Sequence, residues 1–225
     1  MFKSKYSNFL TIILVVAILA IVLIASVLAI KAYKKYKNTK DASSAISRFD
    51  ENYNIVAENN KTQGQELDEQ NIVVVEPTDN SGETTKVTRK VTYYNNFVMI
   101  GYIEIPSINI RYPILEQETV SSLEKSVAVR YPNNPELNTT GNIVIAGHNY
   151  RNGMFFSNLK KVSTGDKIRI TDTKGQTLVY TVYEKYETTP EDASYITRNV
   201  GDNTEITLVT CTDDSSARII VKARV

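Results

Sequence analysis

A long uncharged stretch near the amino terminus is the strongest constraint on how this chain folds. Residues 9–30 contain no charged side chain and are overwhelmingly apolar. As an α-helix they are about 33 Å long, enough to cross the hydrocarbon layer of a bilayer. A cleaved signal peptide has a shorter apolar core and a small-residue cleavage site, and neither is evident here. We therefore predict an uncleaved transmembrane signal anchor at residues 9–30 after a short cytoplasmic amino terminus at residues 1–8, with a buried core helix as the alternative.

The charges that flank this stretch leave its orientation open. Lys3 and Lys5 precede it, whereas a cluster of lysines between Lys31 and Lys40 follows it. Counted alone, the positive-inside rule puts the carboxyl-terminal side in the cytoplasm. Long domains can cross a membrane regardless of flanking charge, and the function considered below needs an exterior site. We therefore expect the carboxyl-terminal part on the extracellular side of the cell membrane, anchored by a single pass.

Residues 31–90 differ in composition from the segments on either side. Up to about residue 61 they are rich in Lys, Asn, Ala and Glu with scattered apolar positions, a composition compatible with a helical stalk. Residues 62–90 are dominated by polar side chains and contain one apolar run at residues 72–75. That composition is typical of a flexible tether. We assign residues 31–90 to a stalk and tether and start a folded domain at residue 91.

The final part of the chain, residues 91–225, consists of short β-rich runs separated by turn residues. This pattern predicts a mainly β fold, a barrel or a sandwich. The predicted strands are 98–105, 108–115, 142–146, 167–171, 177–186, 205–211 and 218–225. Short helical turns are predicted at 120–126 and 155–160.

Composition excludes several classes of function. The net charge is +1, so there is no electrostatic case for nucleic acid as a partner. A single cysteine cannot form an internal disulfide, so the folded domain depends on its hydrophobic core. One cysteine and one histidine are also too few for a structural zinc site.

The one cysteine and the one histidine are the leading candidates for chemistry. Cys211 ends the apolar strand pattern at 205–211, and Arg218 opens the next β-rich run. Two strands joined by residues 212–217 would place Arg218 opposite Cys211, and His148 can share the same pocket. A thiol gains reactivity from cationic neighbours. Taken singly, each residue also has a structural reading: a buried cysteine, a satisfied histidine or a solvated arginine.

Three separate segments, in order, resemble one known family. They are residues 101–110 (GYIEIPSINI), residues 143–148 (IVIAGH), and residues 207–211 (TLVTC) followed by Arg218. The last resembles the TLxTC…R signature of the sortases, the cysteine transpeptidases that attach proteins to the Gram-positive cell surface. The resemblance covers residues 97–225, and the ordered combination is specific although each motif alone is not.

The resemblance implies both a fold and a reaction. The fold is a closed sortase-type β-barrel with short helices, and the catalytic residues are His148, Cys211 and Arg218. Cys211 would attack a threonine-like carbonyl in the C-terminal sorting signal of a secreted protein and form a thioester. Arg218 would stabilise the oxyanion while His148 carries the proton. The acyl group would pass to an amine of a peptidoglycan precursor or of a pilin, and no cofactor is implied.

Substrate contacts follow from the same resemblance. It aligns residues 188–196 with the loop that recognises the sorting signal in class A-like sortases. The implied substrate-binding residues are Ala146, Ala193, Tyr195, Ile196, Val209 and Thr210. Tyr195 is the favoured contact because an aromatic side chain buries apolar ligand surface at modest ordering cost. Ala193, Ile196 and Val209 have an equally good reading as core residues.

Subclass and metal content are the remaining sequence questions. Residues 145–148 (IAGH) lean towards class A, while residues 148–155 (HNYRNGMF) and the neighbourhood of Cys211 resemble class B. An LPxTG-like sorting motif is therefore the first expectation and an NPxTN-like motif the second. Some class A members bind calcium, but residues 131–140 offer only Glu136 as a carboxylate, and we predict no structural metal.

Two other classes of protein are rivals to this interpretation. A cell-wall transpeptidase of the L,D type also uses cysteine and histidine, but no Ser-His-Gly-Cys type of motif is present. A non-catalytic, surface-anchored binding module is the other rival, and it predicts an unreactive Cys211.

Overall fold

The computed structural model describes residues 3–59, 72–75 and 87–225. Most of the predicted tether, residues 62–71 and 76–86, lies outside the described residues. The chain divides into two compact units, one ending at Lys40 and one spanning Asp41–Val225.

A single long helix, α1 (Lys3–Asn59), contains the apolar stretch. It includes no glycine or proline, so nothing in its sequence interrupts the backbone hydrogen-bond ladder. Its segment Phe9–Asn52 contains a window with a mean hydropathy of 3.4, none of which is buried in the protein. By length and composition, α1 is the one helix among the described residues that is suited to cross a membrane.

The second unit is built on one closed sheet. Two short strands, β1 (Ile72–Val75) and β2 (Val87–Lys90), form a separate antiparallel ribbon. The strands of the closed sheet are β3 (Thr92–Tyr94), β4 (Phe97–Ile105), β5 (Ile110–Leu115), β6 (Val127–Tyr131), β7 (Gly141–Ala146), β8 (Lys167–Asp172), β9 (Thr177–Thr188), β10 (Thr204–Cys211) and β11 (Arg218–Arg224). Short helical turns lie at Pro106–Ile108, Val120–Leu123 and Leu159–Lys161.

The strand order explains how the sheet closes. It runs β3-β4-β5-β6-β7-β10-β11-β9-β8, and β8 pairs back onto β4, so β3 is an addition outside the ring. The pairs β5–β6 and β7–β10 are parallel, and the other pairs are antiparallel. The predicted mainly β fold with a closed barrel and short helices is confirmed.

Two hydrophobic clusters lie on opposite faces of β7, β10 and β11. The barrel interior takes Ile145 from β7, Leu208 from β10 and Val221 from β11. The other face carries a second cluster of Val144, Ala146, Tyr195, Val209 and Ile220. Because β10 is covered on both faces, all of its residues from Glu205 to Thr210 are buried, rather than every second one.

The last turns of α1 pack on the barrel within the unit Asp41–Val225. Ala45, Ile46 and Phe49 are buried in a cluster with residues of β3 to β6. The ring of Phe49 meets that of Tyr102 edge to face, with centroids 6.1 Å apart. Composition assigns these three residues to the stalk, although they pack on the barrel. The start of the folded domain at residue 91 stays a prediction.

Candidate active site

Cys211 and Arg218 face each other across the β10–β11 pair. They are direct partners in the antiparallel register, as the strand spacing predicts. The intervening turn is closed by a hydrogen bond of 3.0 Å from the Thr212 amide to the Ala217 carbonyl. Directly opposed residues have Cβ atoms about 5 Å apart, and both side chains are half-buried. The two residues are therefore neighbours at one end of the barrel, where Arg218 Nη1 donates to the Ala217 carbonyl at 3.2 Å.

His148 reaches the same place from the other neighbour of β10. Strand β7 runs parallel to β10 with Ala146 beside Val209. Just beyond that pair, the Gly147 amide donates to the Val209 carbonyl at 3.1 Å, and the Thr210 hydroxyl donates to the Gly147 carbonyl at 2.7 Å. His148 thus follows a segment held firmly against the end of β10.

Alternation along β10 and β11 indicates which face Cys211 and Arg218 share. Side chains two apart on a strand point to the same face. His148 follows Ala146 by two, Cys211 follows Val209 by two, and Arg218 precedes Ile220 by two. Ala146, Val209 and Ile220 all belong to the second cluster, so Cys211 and Arg218 extend the same face, while His148 lies two residues beyond the end of β7.

The loop after His148 is fixed by several contacts. The His148 ring lies 4.9 Å from the Tyr150 ring, and its carbonyl accepts a hydrogen bond of 3.2 Å from the Phe156 amide. A Cβ on Gly147 would lie 2.7 Å from the Phe156 ring and 2.9 Å from Val127, so no larger residue fits there. Burial, followed by the charge of Glu124, raises the pKa of Tyr150.

The turn after Cys211 is tied to this loop through Asp213. Asn149 Nδ2 donates to Asp213 Oδ1 at 2.9 Å, and Lys160 forms an ion pair with the same carboxylate. The hydrogen bond from Lys160, and after it that from Asn149, holds the pKa of Asp213 below its usual range. In the same turn, hydrogen bonds from Thr212 and Ser216 lower the pKa of Asp214 to about 2.

The residues predicted to contact substrate do not all lie together. Ala146, Tyr195, Ile196 and Val209 meet in the second cluster, next to the catalytic candidates. Thr210 is buried and, by alternation, points to the other face of β10. Ala193 is exposed in the loop between β9 and β10. Tyr195 is only 2% exposed. Their roles as substrate contacts stay predictions.

Polar residues that hold the β9–β10 loop are not among those that the sequence predicts. Arg130 on β6 donates to both carboxylate oxygens of Glu118 and to the Tyr195 hydroxyl. Asn142, buried on β7, donates to the carbonyls of Tyr195 at 3.2 Å and Ile196 at 3.1 Å. In the sequence, each of these residues stands out as a charged or amide side chain inside an apolar strand, Arg130 in VAVRY and Asn142 in GNIVIA. That pattern could have identified them as structural polar residues.

The described side chains also bear on metal binding. Among residues 3–59, 72–75 and 87–225, no group of three or more His, Cys, Asp or Glu is placed to hold a metal ion. The expectation of no structural metal stays a prediction.

A family model described as the sortase domain matches residues 103–225. Sortase A of Bacillus anthracis is 33% identical over 126 residues, which cover 55% of this chain and 58% of that protein. Sortase A of Streptococcus agalactiae is 31% identical over 146 residues, covering 62% and 58% respectively. The chain thus matches less than two thirds of the length of these relatives.

Solved structures give the same result. A lid mutant of sortase A from Corynebacterium diphtheriae aligns with a TM-score of 0.51 at 33% identity, covering 56% of this chain and 69% of that one. A sortase D5 transpeptidase from Clostridium perfringens aligns with a TM-score of 0.57 at 27% identity, covering 82% and 98%. The family model alone spans more than half of this chain. The chain therefore belongs to the sortase family.

Proposed function

We propose that this protein is a membrane-anchored cysteine transpeptidase that cleaves a C-terminal sorting signal and transfers the acyl group to an amine. The observation that carries the proposal is the register of β10 and β11, which pairs Cys211 with Arg218. The hydrogen bonds from Gly147 and Asn149 to the end of β10 support His148 as the third member. Family membership supports the same reaction class.

In the first half of the reaction, the Cys211 thiolate attacks the carbonyl carbon of the threonine-like residue, and a carbon–sulfur bond forms. Negative charge develops on the carbonyl oxygen, where the Arg218 guanidinium provides charged donors. Collapse of this intermediate breaks the carbon–nitrogen bond of the scissile peptide. His148 gives its proton to the leaving amine, so the products are a thioester and a released C-terminal fragment.

In the second half, the nitrogen of the acceptor amine attacks the thioester carbonyl. His148, now neutral, accepts the proton from that nitrogen. The carbon–sulfur bond breaks, a new amide is released, and the thiolate of Cys211 is regenerated. Water in place of the amine would give hydrolysis, so transfer requires that the amine outcompete water.

The second cluster supports an apolar subsite for the sorting signal beside Cys211. Ala146 and Val209 lie side by side on β7 and β10, buried together with the Tyr195 ring, and half-buried Ile196 from the β9–β10 loop adds accessible apolar surface. An extended peptide with an apolar residue ahead of its threonine fits such a surface. LPxTG-like signals are the first class to test and NPxTN-like signals the second.

The proposed setting is the extracellular face of the membrane, with α1 as the anchor. The donors are secreted proteins that carry the signal, and the acceptor is an amine of a peptidoglycan precursor or a pilin. The apolar segment of α1 supports the anchor.

The experiment that tests this function is incubation of the full chain, in detergent micelles, with a labelled peptide library and an acceptor amine. Mass spectrometry should detect a thioester on Cys211 and an amide product. The matched control is Cys211→Ala, which should fold and form neither, because the chain contains no second thiol. An unmodified Cys211 and uncut peptides would instead favour a non-catalytic binding module.

A further inference from the structure

The loop between β9 and β10, residues 189–203, lies over the face that carries the catalytic candidates. Its Tyr195 ring is buried against Ala146, Val209 and Ile220. These residues precede or follow the catalytic positions by two on their strands. Tyr195 therefore packs the loop against strand positions that neighbour the catalytic candidates.

The Tyr195 hydroxyl is held by a charged side chain from a different strand. Nη1 of Arg130, on β6, donates to it at 2.7 Å. Nε and Nη2 of the same guanidinium donate to Glu118 Oε2 and Oε1 at 2.6 and 2.7 Å. The Glu118 backbone amide in turn donates to the Val129 carbonyl on β6 at 2.8 Å. The residue that orients Arg130 is therefore itself attached to the barrel.

This arrangement leaves the guanidinium little freedom. A bidentate carboxylate fixes both the position and the plane of an arginine side chain. The Arg130 and Glu118 side chains are only 30% and 20% exposed, so water competes weakly for their hydrogen bonds. The pKa of Arg130 is raised, chiefly by its hydrogen bond to Glu118. The third donor therefore points at Tyr195 before any ligand arrives.

The contacts within the loop do not replace this anchor. The Ile196 amide donates to the Ala193 carbonyl within the loop, while Asp192 accepts from the Thr188 hydroxyl on β9 and Arg198 pairs with Glu205 on β10, so these contacts attach the two ends of the loop to the sheet. Asn142 holds the backbone of Tyr195 and Ile196 at the base. Arg130 is the residue that attaches the tip of the Tyr195 side chain.

We propose that Arg130, oriented by Glu118, is a positioning residue that holds the 189–203 loop in its substrate-ready position through the Tyr195 hydroxyl. The inference rests on the proposed function. Its consequence is that the groove for the sorting signal is formed in advance, so the anchor lowers the KM for the peptide and leaves the chemical step unchanged.

The test uses the full chain in detergent micelles with the best peptide from the library. Tyr195→Phe removes one hydroxyl and keeps the buried ring, so it should raise KM about tenfold with kcat within about twofold, the scale of one charge-assisted hydrogen bond. Arg130→Gln should do the same, and Arg130→Lys should rescue only partly because an ammonium lacks the planar fork.

Matched controls separate positioning from general destabilisation. Tyr180→Phe, on β9, removes another buried hydroxyl, which donates to Asn138 Oδ1 at 3.0 Å. Arg111→Gln removes another arginine–glutamate pair, which Arg111 on β5 forms with Glu104 on β4. Both controls should leave KM unchanged. If Arg130→Gln fails to fold, Tyr195→Phe still decides the question.

Hydrogen–deuterium exchange provides a readout that does not need activity. Amides of residues 189–203 should exchange faster in Tyr195→Phe than in Tyr180→Phe. Unchanged exchange, or faster exchange with unchanged KM, would overturn the positioning role. If the wild-type chain cleaves no peptide, the proposed function fails while the exchange comparison still reports on the anchor.

Discussion

The side-chain amide of Asn149 donates a hydrogen bond of 3.0 Å to the backbone carbonyl oxygen of Cys211. The same nitrogen lies 2.9 Å from Asp213 Oδ1, and the Asn149 side-chain oxygen accepts from the Arg151 amide at 3.0 Å. One side chain therefore ties the residue after His148 to the residue that carries the thiol. This bridge adds to the hydrogen bonds of Gly147 that attach the same segment to β10.

The first prediction concerns this bridge. Asn149→Ala should lower kcat by about fivefold, because a lost hydrogen bond of about 1 kcal/mol lets the histidine loop move away from the strand end. The matched control is Asn152→Ala, whose side chain bonds only within its own loop, to Met154. Steady-state kinetics with a cleaved peptide would measure both. Equal kcat values for the two variants would contradict the bridge.

The second prediction concerns Arg218. Arg218→Ala should lower kcat by roughly a hundredfold or more with little change in KM, the pattern expected when an oxyanion donor is lost. Arg218→Lys should recover only part of the rate because lysine lacks the planar set of donors. A raised KM with an unchanged kcat would make Arg218 a substrate-binding residue and withdraw its catalytic role.

The third prediction concerns the last turns of α1. Phe49 is 5% exposed and packs on Tyr102, so Phe49→Ala should destabilise the unit Asp41–Val225 by about 3 kcal/mol. The matched control is Tyr33→Ala, an exposed aromatic on the same helix, which should cost little. Denaturant unfolding of the full chain would measure both. A fragment of residues 91–225 should likewise be less stable than one of residues 41–225, and equal stabilities would leave the sequence boundary standing.

Much of the barrel could be predicted because its strands are strongly patterned. Strands β7, β10 and β11 were predicted to within about one residue at each end, since apolar runs there are bounded by turn residues. Strands β3 and β6 were missed. Each is short, and β3 is an addition outside the ring, so local sequence carries a weak signal. Strand β5 is predicted to start at Ile108, but Ile108 is the last residue of the helical turn Pro106–Ile108. Asn109, which follows it, has a backbone φ of 52°, and the strand starts at Ile110.

The candidate site likewise has a part that the sequence predicts and a part that it does not. The pairing of Cys211 with Arg218 follows from strand spacing, because a short turn between two adjacent strands sets the register. The contacts of Arg130 and Asn142 with Tyr195 join residues more than 50 positions apart in the chain. No local pattern encodes such partners, since they depend on how the whole barrel closes.

The last prediction concerns the turn that joins Cys211 to Arg218. Asp214 Oδ1 accepts from the Thr212 hydroxyl at 2.6 Å and from the Ser216 amide at 3.1 Å, and these bonds lower its pKa to about 2 from an ordinary 3.8. A depressed folded-state pKa means that this carboxylate supports the turn fully above about pH 4. The support is lost as the pH falls through about 2.

Thr212→Val should therefore raise the Asp214 pKa towards its ordinary value, because it removes the stronger of the two donors. Thr212→Ser keeps the hydroxyl and is the matched control, so its Asp214 pKa should stay low. The carboxyl carbon of Asp214, followed by NMR from pH 6 to about pH 2, reports both values. If valine and serine give the same titration, the Ser216 amide alone sets the Asp214 pKa. The Thr212 hydroxyl would then hold the turn through the Ala217 amide, which donates to it at 3.1 Å, and not through Asp214.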